Sequence, residues 1–162
     1  MRAQRGVVLI VSLVFLLMLT LLATSSMQNA TLQEKVAGSL RLNVASFQSA
    51  EAILRIAEAT VTRPSFEREQ CSTAASCLPP PEALTLVSGG SAGGSGIEWV
   101  AANGGFYGIQ HLGKTDTPAG VAPGERPWTL YRVTAVGLQG SSRTVLESVH
   151  TEQRRIMWRQ RR

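Results

Sequence analysis

Hydrophobic and polar positions divide this chain into three stretches. From Val7 to Ala23 (VVLIVSLVFLLMLTLLA) the run is apolar except at Ser12 and Thr20. Seventeen helical residues span roughly 26 Å, near the lower limit for crossing the hydrocarbon core of a bilayer. The uncharged stretch Thr24 to Gln33 extends the helix into the far headgroup region. From Leu32 onward the large apolar residues fall at 32, 36, 40, 44, 47, 54 and 61, spacings of three, four or seven. Asn43, Ser46, Arg55 and Glu58 fall largely on other faces, and no proline occurs before Pro64. The pattern predicts one helix of about 55 residues, roughly 80 Å long, from Val7 to near Thr62. Its first half is apolar all round and its second half amphipathic.

Arg63-Pro64 ends that helix, because proline cannot continue it and disfavours helix at the residue before. Beyond it the period changes to two. Candidate strands cover 83–88, 97–101, 106–112, 129–138 and 143–151, separated by loops rich in glycine and proline. TLYRVTAVGL and RTVLESVHT flank the turn Gln139-Gly140-Ser141-Ser142. Tyr131, Val133 and Ala135 share one face, with Arg132 and Thr134 opposite. A sheet of four or five short antiparallel strands needs cover on its apolar face. The helical stripe from Leu40 to Val61 supplies it. The fold class is therefore α+β, a long helix packed on a small antiparallel sheet.

Charge sharpens this picture. Sixteen Lys and Arg against eleven Asp and Glu give +5, yet the excess sits at the two ends. Arg2 and Arg5 precede the apolar run, and Arg154, Arg155, Arg159, Arg161 and Arg162 follow the last strand. Residues 7–153 are slightly acidic, which argues against a uniformly basic nucleic-acid-binding domain. Arg2 and Arg5 place the N-terminus in the cytoplasm and the bulk of the chain outside, in the periplasm. A cleaved signal peptide ending near Ala23 or Ser25 is the competing reading.

Little catalytic chemistry is visible. Cys71 and Cys77, exported to an oxidising compartment, read as one short disulfide; a metal site would lack two further ligands nearby. Gly89-Gly90-Ser91-Ala92-Gly93 matches G-x-S-x-G, with Asp116 and His150 in hydrolase order. The elbow must open a helix, however, and Gly94-Ser95-Gly96 is costly to hold helical. The same run lacks the Gly-Lys-Ser/Thr ending of a phosphate loop. His111 reads as structural or exposed. No catalytic residue, cofactor or metal is expected. The basic segment 154–162 could engage DNA or an anionic surface, and a solvated, disordered terminus is the plainer expectation.

The stretch Gln4 to Arg55 carries a resemblance. A basic leader ending in Gly6 precedes an aliphatic run. Then come Glu34, Val36-Ala37-Gly38, and Phe47-Gln48 with Ala50-Glu51. This resembles the N-terminal region of PilX-type minor pilins of the type IV pilus, with Ser39 and Ser46 as mild departures. The resemblance implies a pilin-like fold and cleavage by a prepilin peptidase between Gly6 and Val7, with methylation of the new amine. It also implies residence in the inner membrane and then in the pilus, beside other minor pilins and the major pilin. Major pilins carry Glu at the fifth mature position, where this chain has Val11. In the family that carboxylate pairs with the N-terminal amine of a neighbouring subunit, so its absence fits a subunit at a filament tip. The implied organisation is a leader over 1–6, a helix over 7–62 with 7–26 in the membrane, a globular domain over 63–153 and a basic tail over 154–162. A pseudopilin of type II secretion shares every local feature, and a membrane-anchored periplasmic hydrolase is a remoter alternative.

Overall fold

The computed structural model describes residues 4–91, 93–120 and 127–161. Helix α1 spans Gln4–Val61. The chain forms two compact units, Met1–Arg41 and Leu42–Arg162, and α1 contributes to both.

In the first unit every residue from 7 to 41 is exposed. The few polar side chains of the apolar run are satisfied within the helix itself. Ser12, Thr20 and Thr24 donate to the carbonyls of Leu9, Leu17 and Leu21 at 2.9, 2.8 and 3.0 Å. Such back-bonding leaves no hydroxyl donor unmet in an apolar surrounding, where each would cost free energy. Among the described residues α1 is the helix long and apolar enough to cross a membrane, its most apolar window reaching a mean hydropathy of 2.9.

The second unit is a sheet covered on both faces. Its strands are β1 (Gly90–Ser91), β2 (Glu98–Ala102), β3 (Gly105–Thr115), β4 (Trp128–Gln139), β5 (Ser142–His150) and β6 (Arg155–Arg161). They pair antiparallel in sequence order. The β2–β3 and β4–β5 connections are two-residue turns, and the β4–β5 turn places Gly140 first with φ +56°, the positive φ such hairpins demand. One face carries Ile109, Tyr131, Val133, Ala135 and Leu146 against Ala50, Ile53, Leu54, Ala57 and Val61 of α1. The back face carries Val136 and Val145, covered by Ala83, Leu86, Ile97 and Trp99 from the segment between α1 and β2 and from β2 itself. That segment includes α2 (Ala74–Cys77) and a 3-10 turn at Pro81–Leu84.

The α+β architecture and the four strands expected over 97–101, 106–112, 129–138 and 143–151 are present. Three expectations need correction. The strand expected over 83–88 is a 3-10 turn and loop: Pro81 opens the turn Pro81–Leu84, and Ala83 and Leu86 serve as a lid on the back face. The segment 154–162, expected to be a solvated tail, forms β6 over Arg155–Arg161. The helical stripe does not start at Leu40. Leu40 and Val44 are exposed, whereas Ser46 and Glu58, expected on other faces, are buried against the sheet. Positions spaced by four drift about 40° per step from the 100° helical repeat, so a row of such residues rotates off the contact face. Small residues take it instead. A Cβ on Gly137 would lie 2.2 Å from the Ser46 carbonyl oxygen and 2.4 Å from the Ala50 nitrogen, so backbone meets backbone there.

Candidate functional site

Two features of the chain stand out as functional surfaces: the exposed apolar helix of the first unit, and an ionic anchor that fixes α1 and β6 to the sheet in the second.

The helix comes first. Gly6 and Val7 lie in the opening turns of α1, and residues 1–3 of the expected leader lie outside the described residues. Val11 is uncharged and 55% exposed, on a helix whose neighbouring Val7, Val8, Leu9 and Ile10 are likewise exposed. Nothing in the unit itself consumes this apolar surface. Bilayer or a neighbouring apolar helix is the environment in which it loses no free energy.

The anchor is built by two carboxylates from distant parts of the chain. Glu58 on α1 receives Arg155 of β6 in a bidentate pair, Nε to Oε1 at 2.8 Å and Nη2 to Oε2 at 2.6 Å. Ser148 of β5 donates to the same Oε1 at 2.6 Å. Burial pushes the Glu58 carboxyl up, but the hydrogen bonds from Arg155 and Ser148 and the nearby positive charge outweigh it and hold it below its ordinary value. On the back face Glu147 of β5 takes Arg159 through Nε and Nη2 at 2.9 and 2.7 Å, and Arg161 through Nη1 at 3.2 Å. The Arg155–Glu58 pair, two parallel bonds to two oxygens, has the fork geometry of the strong kind, whereas Arg159 places both donors on Oε2 of Glu147.

The same back face holds down the segment from Cys71 to Leu86 through its backbone. Gln110 and Arg132 are cross-strand partners on β3 and β4. Arg132 donates to the Cys77 carbonyl at 2.6 Å and to Gln110 Oε1 at 3.2 Å, while Gln110 donates to the carbonyls of Ser76 and Leu78. These are the free carbonyls at the C-terminal end of α2, where cations and donors are favourable. Arg143 and Arg161 reach Ala83, Leu86 and Pro80 in the same way. Cys71 and Cys77 are joined by a disulfide, so their sulfurs are not free to ligate a metal. His111 meets the Arg68 carbonyl through Nδ1 at 2.9 Å and stacks near Tyr131.

The hydrolase constellation is not assembled. Ser91 sits in β1 and His150 in β5, with three strands between them. At about 4.8 Å per strand that is roughly 19 Å, far beyond hydrogen-bond reach. His150 is buried with Nδ1 on the Thr151 carbonyl. Arg155, Arg159 and Arg161 of β6, expected as part of a basic tail for DNA or an anionic surface, are paired with Glu58 and Glu147, and Arg159 keeps half of its side chain in solvent. The sequence reading missed these two carboxylates as anchors. A signal existed for each: Glu58 lies four residues after Leu54 and three before Val61, and Glu147 shares a strand face with Val145 and Val149.

Residues 5–55 match the family model described as PilX N-terminal. Over that segment the chain is similar to the N-terminal region of PilX-type pilins of the type IV pilus. No curated protein and no solved structure matches the chain. The matched segment ends within α1, three residues before Glu58, so the pilin region contains the apolar helix and most of the residues that α1 lays on the sheet.

Proposed function

We propose that this protein is a PilX-type minor pilin that joins a small complex of other minor pilins and initiates type IV pilus assembly from the filament tip. Val11 carries the reading. It occupies the fifth position after Gly6, where a filament subunit with a neighbour above it would present a carboxylate to that neighbour's amine. A lone charge at mid-helix in lipid costs about 2.5–3.5 kcal/mol on insertion scales, so a carboxylate there is kept only where a partner meets it. A subunit with none above it has no such need. In this reading the protein stands in the inner membrane with its N-terminus cytoplasmic and its sheet unit periplasmic. A prepilin peptidase cuts between Gly6 and Val7, and the major pilin follows the tip complex into the filament.

Val11→Glu tests the position. The substitution places a carboxylate in lipid without a stacked amine, at a cost of about 2–3 kcal/mol or with its proton retained. Immunogold labelling of this subunit, counted per filament length, is expected to stay confined to tips, with filament number unchanged or reduced. Regular label along the shaft, in wild type or variant, ends the tip assignment.

A further inference from the structure

Three properties coincide at the last strand. Among the described residues β6 pairs only with β5, so its other edge carries N–H and C=O groups that no strand meets. That edge is also positively charged beyond what its anchor neutralises. Among the described residues Glu147 is the single carboxylate paired with both Arg159 and Arg161, so two guanidinium groups share one negative charge. Arg159 keeps 49% of its side chain in solvent, so its charge is readable from outside. Finally, the edge is not uniformly polar: Met157 and Trp158 are 46% and 42% exposed, Trp158 resting edge-on against Phe47 at 6.2 Å between ring centres.

An edge built this way discriminates between partners. A second copy of β6 laid alongside would set arginine against arginine, and like charges directly opposite are destabilising. Arginine rows of this kind keep sheet edges from pairing with themselves. The same row favours a strand of opposite sign, for which the ladder hydrogen bonds supply affinity and alternate side chains supply selectivity.

We propose that the free edge of β6 is a docking site for an extended acidic segment of another polypeptide. It adds as a seventh strand, with carboxylates at alternate positions on the face of the exposed Arg159 and an apolar side chain over Trp158. Arg159 thus serves twice, inward to Glu147 and outward to the partner, while Arg161, 17% exposed, adds positive charge from beneath.

The test leaves the protein unaltered, so a folding defect cannot imitate its outcome. Full-length chain in neutral detergent micelles is titrated with a fluorescein-labelled eight-residue peptide alternating Asp and Val, read by anisotropy. Saturable binding is expected, weakened at least tenfold when Asp is replaced by Asn. Methylation of alternate backbone nitrogens, which removes ladder donors, should abolish it. Hydrogen exchange of the β6 amides should slow at least tenfold in the complex. Failure to bind overturns the proposal. So does binding that survives backbone methylation, or equal displacement by a DNA oligonucleotide or phosphatidylglycerol vesicles, since each is attraction to charge without strand addition.

Discussion

Single residues divide sharply here between those that pin the fold and those that merely decorate it. Glu58 and Glu51 both lie on α1 and both pair with arginine, yet they differ in what surrounds them. Glu51 and Arg55 form an exposed i,i+4 pair at 2.7 Å, and such pairs contribute only about 0.3–0.5 kcal/mol. Glu58 is 11% exposed at its side chain and has Ser148 as a further donor to satisfy it. Removing one partner of a buried pair leaves the other uncompensated, at about 3–5 kcal/mol. Arg155 is 39% exposed, so water compensates part of that loss. Glu58→Ala should therefore destabilise the sheet unit by about 2–3 kcal/mol, and Arg55→Ala by less than about 0.5 kcal/mol, in denaturant titrations followed by near-UV circular dichroism. Acid adds a second signature. The Glu58 carboxyl titrates lower in the folded protein than its ordinary 4.5, so its stabilisation is complete above that value and is lost as pH falls through the depressed one. Glu58→Gln should flatten the acid limb of the stability profile. An unchanged acid limb would mean that other carboxylates set it.

At the scale of elements, the decisive contact is α1 on β4, where Gly137 admits the helix backbone. Gly137→Ala drives a Cβ into the Ser46 carbonyl and the Ala50 nitrogen, neither of which is a flexible side chain. A loss of about 2–3 kcal/mol or more is expected in thermal unfolding, at the upper end of overpacking costs. Gly38 provides the contrast: it lies inside α1 with no atom within 4 Å of an added Cβ, so Gly38→Ala should stabilise the helix by about 0.5–1 kcal/mol. Equal effects at the two positions would deny that close approach is what Gly137 provides. This contrast also marks how far sequence carries. The long helix, its proline stop and the β4–β5 hairpin are local patterns of period and turn chemistry, and they are plain in the residues. The contact face of α1 is not, because it is chosen by small residues, Ser46, Ala50 and Ala57, that a search for large apolar side chains passes over. β6 is less legible still. Five arginines read as a solvated tail until Glu58 and Glu147, 97 and 12 residues away from their partners Arg155 and Arg159, are seen to face them. The apolar helix and Val11 were visible in sequence; the carboxylates' inward faces could be read from spacing, but their arginine partners come only from tertiary structure.

For the whole molecule, what matters is which end of the apolar helix is presented to which compartment. Arg2 and Arg5 flank the apolar run on one side, with no acidic residue before Glu34, and that asymmetry favours a cytoplasmic N-terminus. We therefore expect processing to occur on the cytoplasmic side, between Gly6 and Val7, leaving the helix intact for membrane and filament. The alternative cut, near Ala23 or Ser25, removes the same residues whose exposed apolar side chains have no other cover. The two routes yield proteins that differ by the entire apolar run, so the intact mass of subunit recovered from membranes or sheared pili separates them without ambiguity. A mature chain beginning at Val7, with one added methyl group, is expected. Gly6→Val places a branched side chain at the scissile bond, where Gly leaves the backbone open to close approach. It should slow conversion at least tenfold, so that precursor accumulates in the membrane while the sheet unit keeps its stability, because the change lies outside Leu42–Arg162. A mass beginning near Thr24 or Ser26 would contradict the pilin route at its first step, for a chain without the apolar run has no helix to hand on to a filament.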